Sequence, residues 1–395
     1  MSLTLPIILI LGLLSGLTPL AIDAYLPSIP TIAKDLNIHI SLVQMTLSMY
    51  LIVFAFLQIL FGPISDAIGR RKVVISGLSI FALGSFICAW SSSYDWLMMG
   101  RAIQALGGAA VAVCIPALVK DGLSINEFAK AMSMIMLVMA LAPLAAPILG
   151  GAILTLFSWH FIFVFLGLLS LLGIVLFIIN IPETLPHEKR IPFSLWGALT
   201  NYYRLIRNPA VLGYIAAGAF FFSGMMSFIT GSSFVYIEIY QVKPEHFGFL
   251  VGANVITMMI ASSINSRFVE KLGTEVLSKY ASFVPLVASC FMLFLCLFEQ
   301  PPLMLIMLAS MMFVGPMGIL SSGFMAGALK SAGNNNGSVT ALAGTSRCAL
   351  GALSGAMVSL FHNGTFVPML ATMATCGLVS FILFKVTVHY SAKRN

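Results

Sequence analysis

Twelve apolar runs of membrane-spanning length, separated by short polar breaks, constrain this chain more than any other feature. They fall at about 5–27, 40–62, 73–91, 95–118, 131–155, 159–180, 210–236, 245–266, 275–298, 302–328, 338–361 and 365–388. Each is near the roughly 20 residues an α-helix needs to cross a bilayer. The runs are continuous rather than alternating in period two, which excludes a membrane-spanning barrel. Helices satisfy their own backbone groups and are the remaining way across. Over 395 residues only 8% are charged, against about a quarter in a soluble domain. The expected fold is an all-α integral membrane protein with twelve transmembrane helices in two pseudo-symmetric six-helix bundles. The first run, Leu5–Leu26, has neither a basic leader nor a cleavage site and is expected to remain as a helix.

Lysine and arginine set the orientation. With the N-terminus inside, sixteen of the twenty cations fall in inner loops and the tail, from Arg70, Arg71 and Lys72 to Lys393 and Arg394. Only Lys34 and Lys243 fall outside, so both ends are expected in the cytoplasm. The net charge of +7 is this loop bias and implies no nucleic acid. The six cysteines lie in apolar runs without ligand spacing and read as small buried hydrophobes. The histidines sit in loops or near helix ends, and no metal is assigned.

The longest polar break, Pro182–Pro209, divides the chain into an N-terminal bundle (1–181), a cytoplasmic linker (182–209) with a surface helix near Phe193–Arg207, and a C-terminal bundle (210–395). A shift of 204 residues lays the second block on the first, with Glu270 on Asp66 and Gly273 on Gly69. Two such repeats imply a central cavity between them, near mid-membrane.

Between the second and third runs lies a charged knot, GPISDAIGRRK (62–72). Gly62 and Pro63 are expected to stop the second helix and Gly69 to supply the turn. The stretch resembles the loop between helices two and three of the major facilitator superfamily, Gly-x-Leu-x-Asp-Arg-x-Gly-Arg-Lys. Gly62, Asp66, Gly69, Arg70 and Arg71 match; Ile64 and Ala67 depart. The resemblance implies a conformational latch made by these residues, with Glu270 as its counterpart in the second half. Asp66 is expected to bond Arg70 and the start of a second-half helix near Ser338.

Two ionisable residues lie inside the first and fourth spans, Asp23 in LAIDAYLPSIP and Arg101 in RAIQALGGAA. Both are roughly 6–9 Å from the outer face. Equal depth lets them pair, and a charge inside a span is by default functional. The alternative is a permanent ion pair that fixes packing. RAIQALGGAA resembles the fourth-helix Arg-x-x-Gln-Gly pattern of proton-coupled members, matching at Arg101 and Gln104. Asp23-Ala-Tyr25-Leu-Pro27 resembles the first-helix signature of drug exporters. In the fifth span APLAAPILGG (142–151) resembles the antiporter motif Gly-Pro-x-x-Gly-Gly, through Pro147, Gly150 and Gly151, with Pro143 as a second break. With SWHFIF, ETLP, SSFVYIE and NSRFV, the whole length resembles the bicyclomycin- and chloramphenicol-resistance branch of the bacterial drug:proton antiporters.

The resemblance implies a secondary exporter of drug-like molecules in the bacterial inner membrane, driven by the proton gradient without a cofactor, working as a monomer, and coupled through Asp23 and Arg101. Tyr25, Gln44, Gln104, Phe228, Asn254 and Arg347 are the candidate substrate contacts. For the polar ones, interhelical bonding is the competing reading; for Phe228 it is core packing. Arg347 reads as an anion counter-charge, a latch, or an arginine bonded to backbone carbonyls. The sequence has no phosphate-binding Gly-x-x-x-x-Gly-Lys-Ser/Thr loop and no nucleophile or metal constellation, which argues against an ATP-driven pump or an enzyme. A proton-coupled transporter of a metabolite such as an amino acid or sugar is the alternative.

Overall fold

The computed structural model describes residues 4–121, 125–186, 188, 190, 195–332 and 336–392, and among these there is no strand. Eleven helical stretches are long and apolar enough to cross a membrane. A twelfth, α16 (Asn336–Leu360), has 25 residues, but Arg347 and many Gly, Ser and Thr residues lower its hydropathy. The remaining helices of the first half are α1 (Leu5–Asp23), α2 (Ile29–Asp35), α3 (Ile40–Ile68), α4 (Arg70–Ala89), α5 (Tyr94–Asp121), α6 (Ile125–Ala140), α7 (Ala142–Leu156) and α8 (His160–Asn180). Next in the chain is α9 (Leu195–Ile206), close to the surface helix expected near Phe193–Arg207. The second half continues with α10 (Pro209–Ser233), α11 (Pro244–Leu272), α12 (Thr274–Ala281), α13 (Phe283–Leu295), α14 (Leu303–Val314), α15 (Met317–Ala332) and, after α16, α17 (Val367–Ala392). Large apolar side chains such as Leu137, Ile179 and Phe249 are exposed on these helices, as a lipid-facing surface requires. Cys290, expected buried, is exposed in the same way, because its face of α13 points outward.

The chain forms two compact units, 1–195 with 244–248, and 196–243 with 249–395. Within the first, α1 packs on α5, α6, α7 and α8, while α4 packs on α5 and α8. Within the second, α10 packs on α14, α15, α16 and α17, while α13 packs on α14 and α17. These neighbours correspond, α1 to α10 and α4 to α13, so this part of the packing repeats in the two halves. The joints repeat too. A 29-residue helix ends at Gly69 in one half and at Gly273 in the other, 204 residues on. Both glycines have positive φ, +106° and +78°, a conformation that side chains with a Cβ rarely adopt.

Several expected boundaries move. Gly62 and Pro63 do not stop the second helix, because α3 runs through both and ends at Ile68. Pro63 removes one backbone donor, a loss a membrane helix tolerates when its neighbours and side chains re-satisfy the freed group. The charged knot is therefore the last two turns of α3 and the first of α4, joined by Gly69 alone. Other spans are broken too, and of these breaks the one at Pro143 in the fifth span was expected. The first is interrupted after Asp23 by a short 3-10 turn, Leu26–Ser28, that carries Pro27. The fifth breaks at Leu141 before Pro143, the ninth at Ser282 before Pro285, and the tenth at Gly315–Pro316. Proline clashes with the carbonyl four residues back and cannot donate, so each break falls at a proline or within the turn before it.

Candidate functional site

The first unit holds a buried polar cluster, and small residues make it possible. Gly77, Gly84, Gly100 and Gly107 line the contact between α4 and α5. A methyl group on Gly84 would come within 2.3 Å of the Gln104 amide nitrogen. Backbones that close bring side chains of the two helices within bonding reach. Gln104 Nε2 accordingly donates to Ser85 Oγ at 2.8 Å, and Gln104 Oε1 accepts from Arg101 Nη1 at 2.6 Å.

Arg101 is the centre of this cluster and is wholly buried. The expected ion pair with Asp23 is not present. Arg101 Nη1 donates instead to the Ala21 carbonyl oxygen at 3.0 Å. Ala21 is in the last turn of α1, where the helix break removes the usual donor four residues ahead. A cation at that end also meets the negative pole of the helix dipole. Residues two apart lie on nearly opposite faces of a helix, so the contact at Ala21 turns Asp23 away. The guanidinium is further covered by aromatic rings, 4.5 Å from the Tyr50 centroid and 4.9 Å from that of Tyr25. Ring faces attract a desolvated cation by up to about 2 kcal/mol or more each. Among the described residues Nε and Nη2 have no hydrogen-bond partner. Tyr25 is pinned in turn, its hydroxyl donating to the Val43 carbonyl at 3.0 Å and lying 2.8 Å from Thr46 Oγ1.

Asp23 is the last residue of α1 and is buried. Its carboxylate makes no hydrogen bond or ion pair among the described residues. The helix break beside it is covered by α7, in which Pro143 opens the helix and Pro147 lies inside it. Gly150 sits directly against the break: a methyl group there would lie 1.9 Å from the Ala24 carbonyl oxygen. The antiporter-like glycine is thus the residue that admits α7 to the bend bearing Asp23.

At the Gly69 joint a second cluster forms. Asp66 Oδ1 lies 2.5 Å from Arg70 Nη1, and Arg70 Nε lies 3.1 Å from Asp121 Oδ2. Arg70 also donates to Ser65 Oγ. Glu183 closes the cluster from 113 residues away. Its carboxylate accepts the Arg70 and Arg71 backbone N–H groups at 3.1 and 3.3 Å, capping the first turn of α4. The Thr184 and Leu185 amides point to it as well, both at 3.1 Å. Arg71 donates to the carbonyls of Ile178 and Ile181 at the end of α8. Gly69 leaves room for this, since a Cβ there would come within 2.5 Å of a Glu183 oxygen. Asp121 and Glu183 were not among the residues singled out by sequence; the ETLP stretch was noted only as a likeness. Glu270, the expected counterpart, is exposed and makes no ion pair among the described residues.

The other expected contacts scatter. Gln44 is buried on α3 in the first unit. In the second unit Phe228 is buried edge-on to Tyr236, at 6.2 Å between centroids. Asn254 is buried on α11, with Nδ2 donating to the Leu250 carbonyl at 3.4 Å and Oδ1 without a partner among the described residues. Arg347 is half-buried on α16 beside a small recess walled by Tyr214, Gly218, Phe324, Met325 and Ala343.

Repeated bundles, broken helices and charges held within the spans define a polytopic helical transporter. The Major Facilitator Superfamily model matches residues 11–356, and the chain belongs to that family. A Bicyclomycin resistance protein homolog of Haemophilus influenzae is 38% identical over 379 residues, covering 95% of this chain and 94% of the relative. Multidrug resistance protein D of Escherichia coli is 30% identical over 209 residues, covering 53% and 52%. A POT family transporter solved in complex with a thioalcohol-conjugated peptide superposes with a TM-score of 0.78 at 13% identity, over 98% of this chain and 95% of that one. That likeness is one of fold alone.

Proposed function

We propose that this transporter exports drug-like small molecules from the bacterial cytoplasm in exchange for protons, by alternating access of its two halves about the 182–209 linker. The observation that carries the proton role is Asp23: an acid inside a span, at a helix break, with no ion-pair partner among the described residues. Such a carboxyl group is free to take and release a proton, whereas an arginine stays charged. Arg101 acts on it indirectly. By holding the Ala21 carbonyl it fixes the end of α1, and with it the setting of Asp23. Any rearrangement that frees Arg101 changes the proton affinity of Asp23. Tyr25 and Gln104 position Arg101, while Gln44, Phe228, Asn254 and Arg347 are the proposed substrate contacts. Pro143, Pro147, Gly150 and Gly151 shape the helix that covers the break.

The Asp66–Arg70 cluster is the proposed cytoplasmic latch, with Gly62, Gly69, Arg71 and Glu270 as its frame. Relatives named for bicyclomycin and multidrug resistance support an outward direction and a drug-like cargo. The proposed setting is the inner membrane, both termini in the cytoplasm, with the monomer as the working unit.

Everted membrane vesicles test the core of this. Energised vesicles carrying the wild type should accumulate a transported compound and acidify less in its presence. Asp23→Asn should still bind the compound but lose proton-driven accumulation. Uphill, pH-dependent accumulation by Asp23→Asn would remove Asp23 from the coupling. Altered amino acid or sugar uptake with unchanged drug tolerance would move the reading to a metabolite transporter.

A further inference from the structure

Two arginines lie within spans, and the structure treats them oppositely. Arg101 is enclosed, with a carbonyl, an amide oxygen and two close aromatic faces around its charge. Arg347 has none of these. It is the twelfth residue of α16, about 17 Å along the helix from its start, and so lies at mid-span. Among the described residues it makes no hydrogen bond, no ion pair and no contact with a ring face. The backbone-carbonyl reading of this arginine therefore fails. Its side chain is half-buried at a recess of about 10 Å³, enough for a single water or the tip of one polar group.

The surroundings sharpen what that group must be. The recess walls are aromatic, thioether and small: Tyr214, Phe324, Met325, Gly218 and Ala343. They offer apolar surface and no opposing charge. Tyr214 is also a wall of a larger cavity of about 470 Å³ in the same unit, whose charged residues are Glu275 and Lys330. Those two offset each other, which leaves Arg347 as the uncompensated charge of the pair of spaces. A cation held at mid-span without a partner is costly, and a ligand that supplies the missing anion recovers much of that cost.

We propose that Arg347 is the receptor for an anionic group, and that this transporter takes apolar or aromatic molecules bearing a carboxylate or similar planar anion. The guanidinium fork pairs with such a group through two parallel N–H···O bonds. The recess admits only the anionic tip, and the adjoining carbon skeleton would lie on the side of Tyr214, the wall that the recess shares with the larger cavity. This rests on the export reading for its direction, but binding is measurable without transport.

The test uses purified full-length transporter and matched probes: benzoate, 2-naphthoate and nalidixate, each beside its carboxamide. Affinity is read by ligand-induced thermal stabilisation. At least one acid should bind tenfold or more tightly than its amide to the wild type. Arg347→Gln should abolish that preference, bringing each acid to within about twofold of its amide. Arg347→Lys, which keeps the charge and loses the fork, should retain an intermediate preference and guards against a folding defect in Arg347→Gln. Equal binding of acids and amides, no binding of any acid, or a preference that survives Arg347→Gln each overturns the proposal. Export is scored separately, by growth with uncharged toxic compounds. Loss of that resistance in the wild type would defeat the export reading and leave the Arg347 result standing.

Discussion

At the scale of single residues, partner choice decides what a charge does. Arg101 replaces a missing backbone donor at Ala21 and supplies Gln104 with its hydrogen bond. Arg101→Ala leaves both acceptors buried and unmet, at about 1–3 kcal/mol each. Unfolding in detergent should show a loss of that order, and transport should fall with it. Arg101→Lys should do less damage, since an ammonium still donates but does not span both acceptors and stack on the rings. Glu183 gives a second case. Its carboxylate caps α4, and a charge there is worth about 0.3–1 kcal/mol, rising toward about 2 when partly buried. Glu183→Gln should lower stability by about 1 kcal/mol in the same measurement, because an amide oxygen accepts with less charge. Asp66→Asn should slow turnover yet leave substrate affinity nearly intact, as measured by binding beside initial transport rates. A collapse of affinity at constant turnover would contradict the latch.

At the scale of helices, matching glycines are not equivalent. Gly62 lies within α3, and a methyl group on it meets nothing within 4 Å. Gly62→Ala should be neutral or stabilising by about 0.5–1 kcal/mol, the helical advantage of alanine. Gly69→Ala must adopt φ +106° against Glu183 and should destabilise the joint. Gly150→Ala should be the most damaging of the three, pushing α7 off the bend after Asp23; expression and efflux together report it. This difference marks where sequence reading succeeds. Hydropathy made the spans legible because a bilayer demands long apolar runs, and the 204-residue shift found the paired joints because both need a glycine turn. The helix running through Gly62–Pro63 was not legible, since those residues usually punctuate. Nor was the Arg101 contact, because one residue of rotation decides between a carbonyl and a carboxylate. Glu183 was hidden by its 113-residue separation from the amides it caps.

At the scale of the molecule, the chain divides into two compact units, and α9 falls in the second but for its first residue. Separate polypeptides ending and beginning within 187–194 should therefore restore resistance when expressed together, scored by growth on a toxic compound; failure with both fragments present would mean the linker does more than connect. A C-terminal fluorescent-protein fusion should fluoresce, as a cytoplasmic end requires. The enclosed arginine has an electrical consequence as well. A guanidinium is a fixed cation, and Arg101 places one inside the first unit. Ionised Asp23 cancels it, and protonated Asp23 does not. A unit that travels through part of the membrane field with that charge uncancelled does electrical work, up to about 2.3 kcal/mol per 100 mV. The proton-loaded form is drawn toward the negative side, while the unloaded form crosses without voltage dependence. In proteoliposomes at a fixed pH gradient, export of an uncharged compound should accelerate when a potassium diffusion potential is imposed. A rate indifferent to that potential would mean that the charge on Arg101 stays outside the moving part of the field.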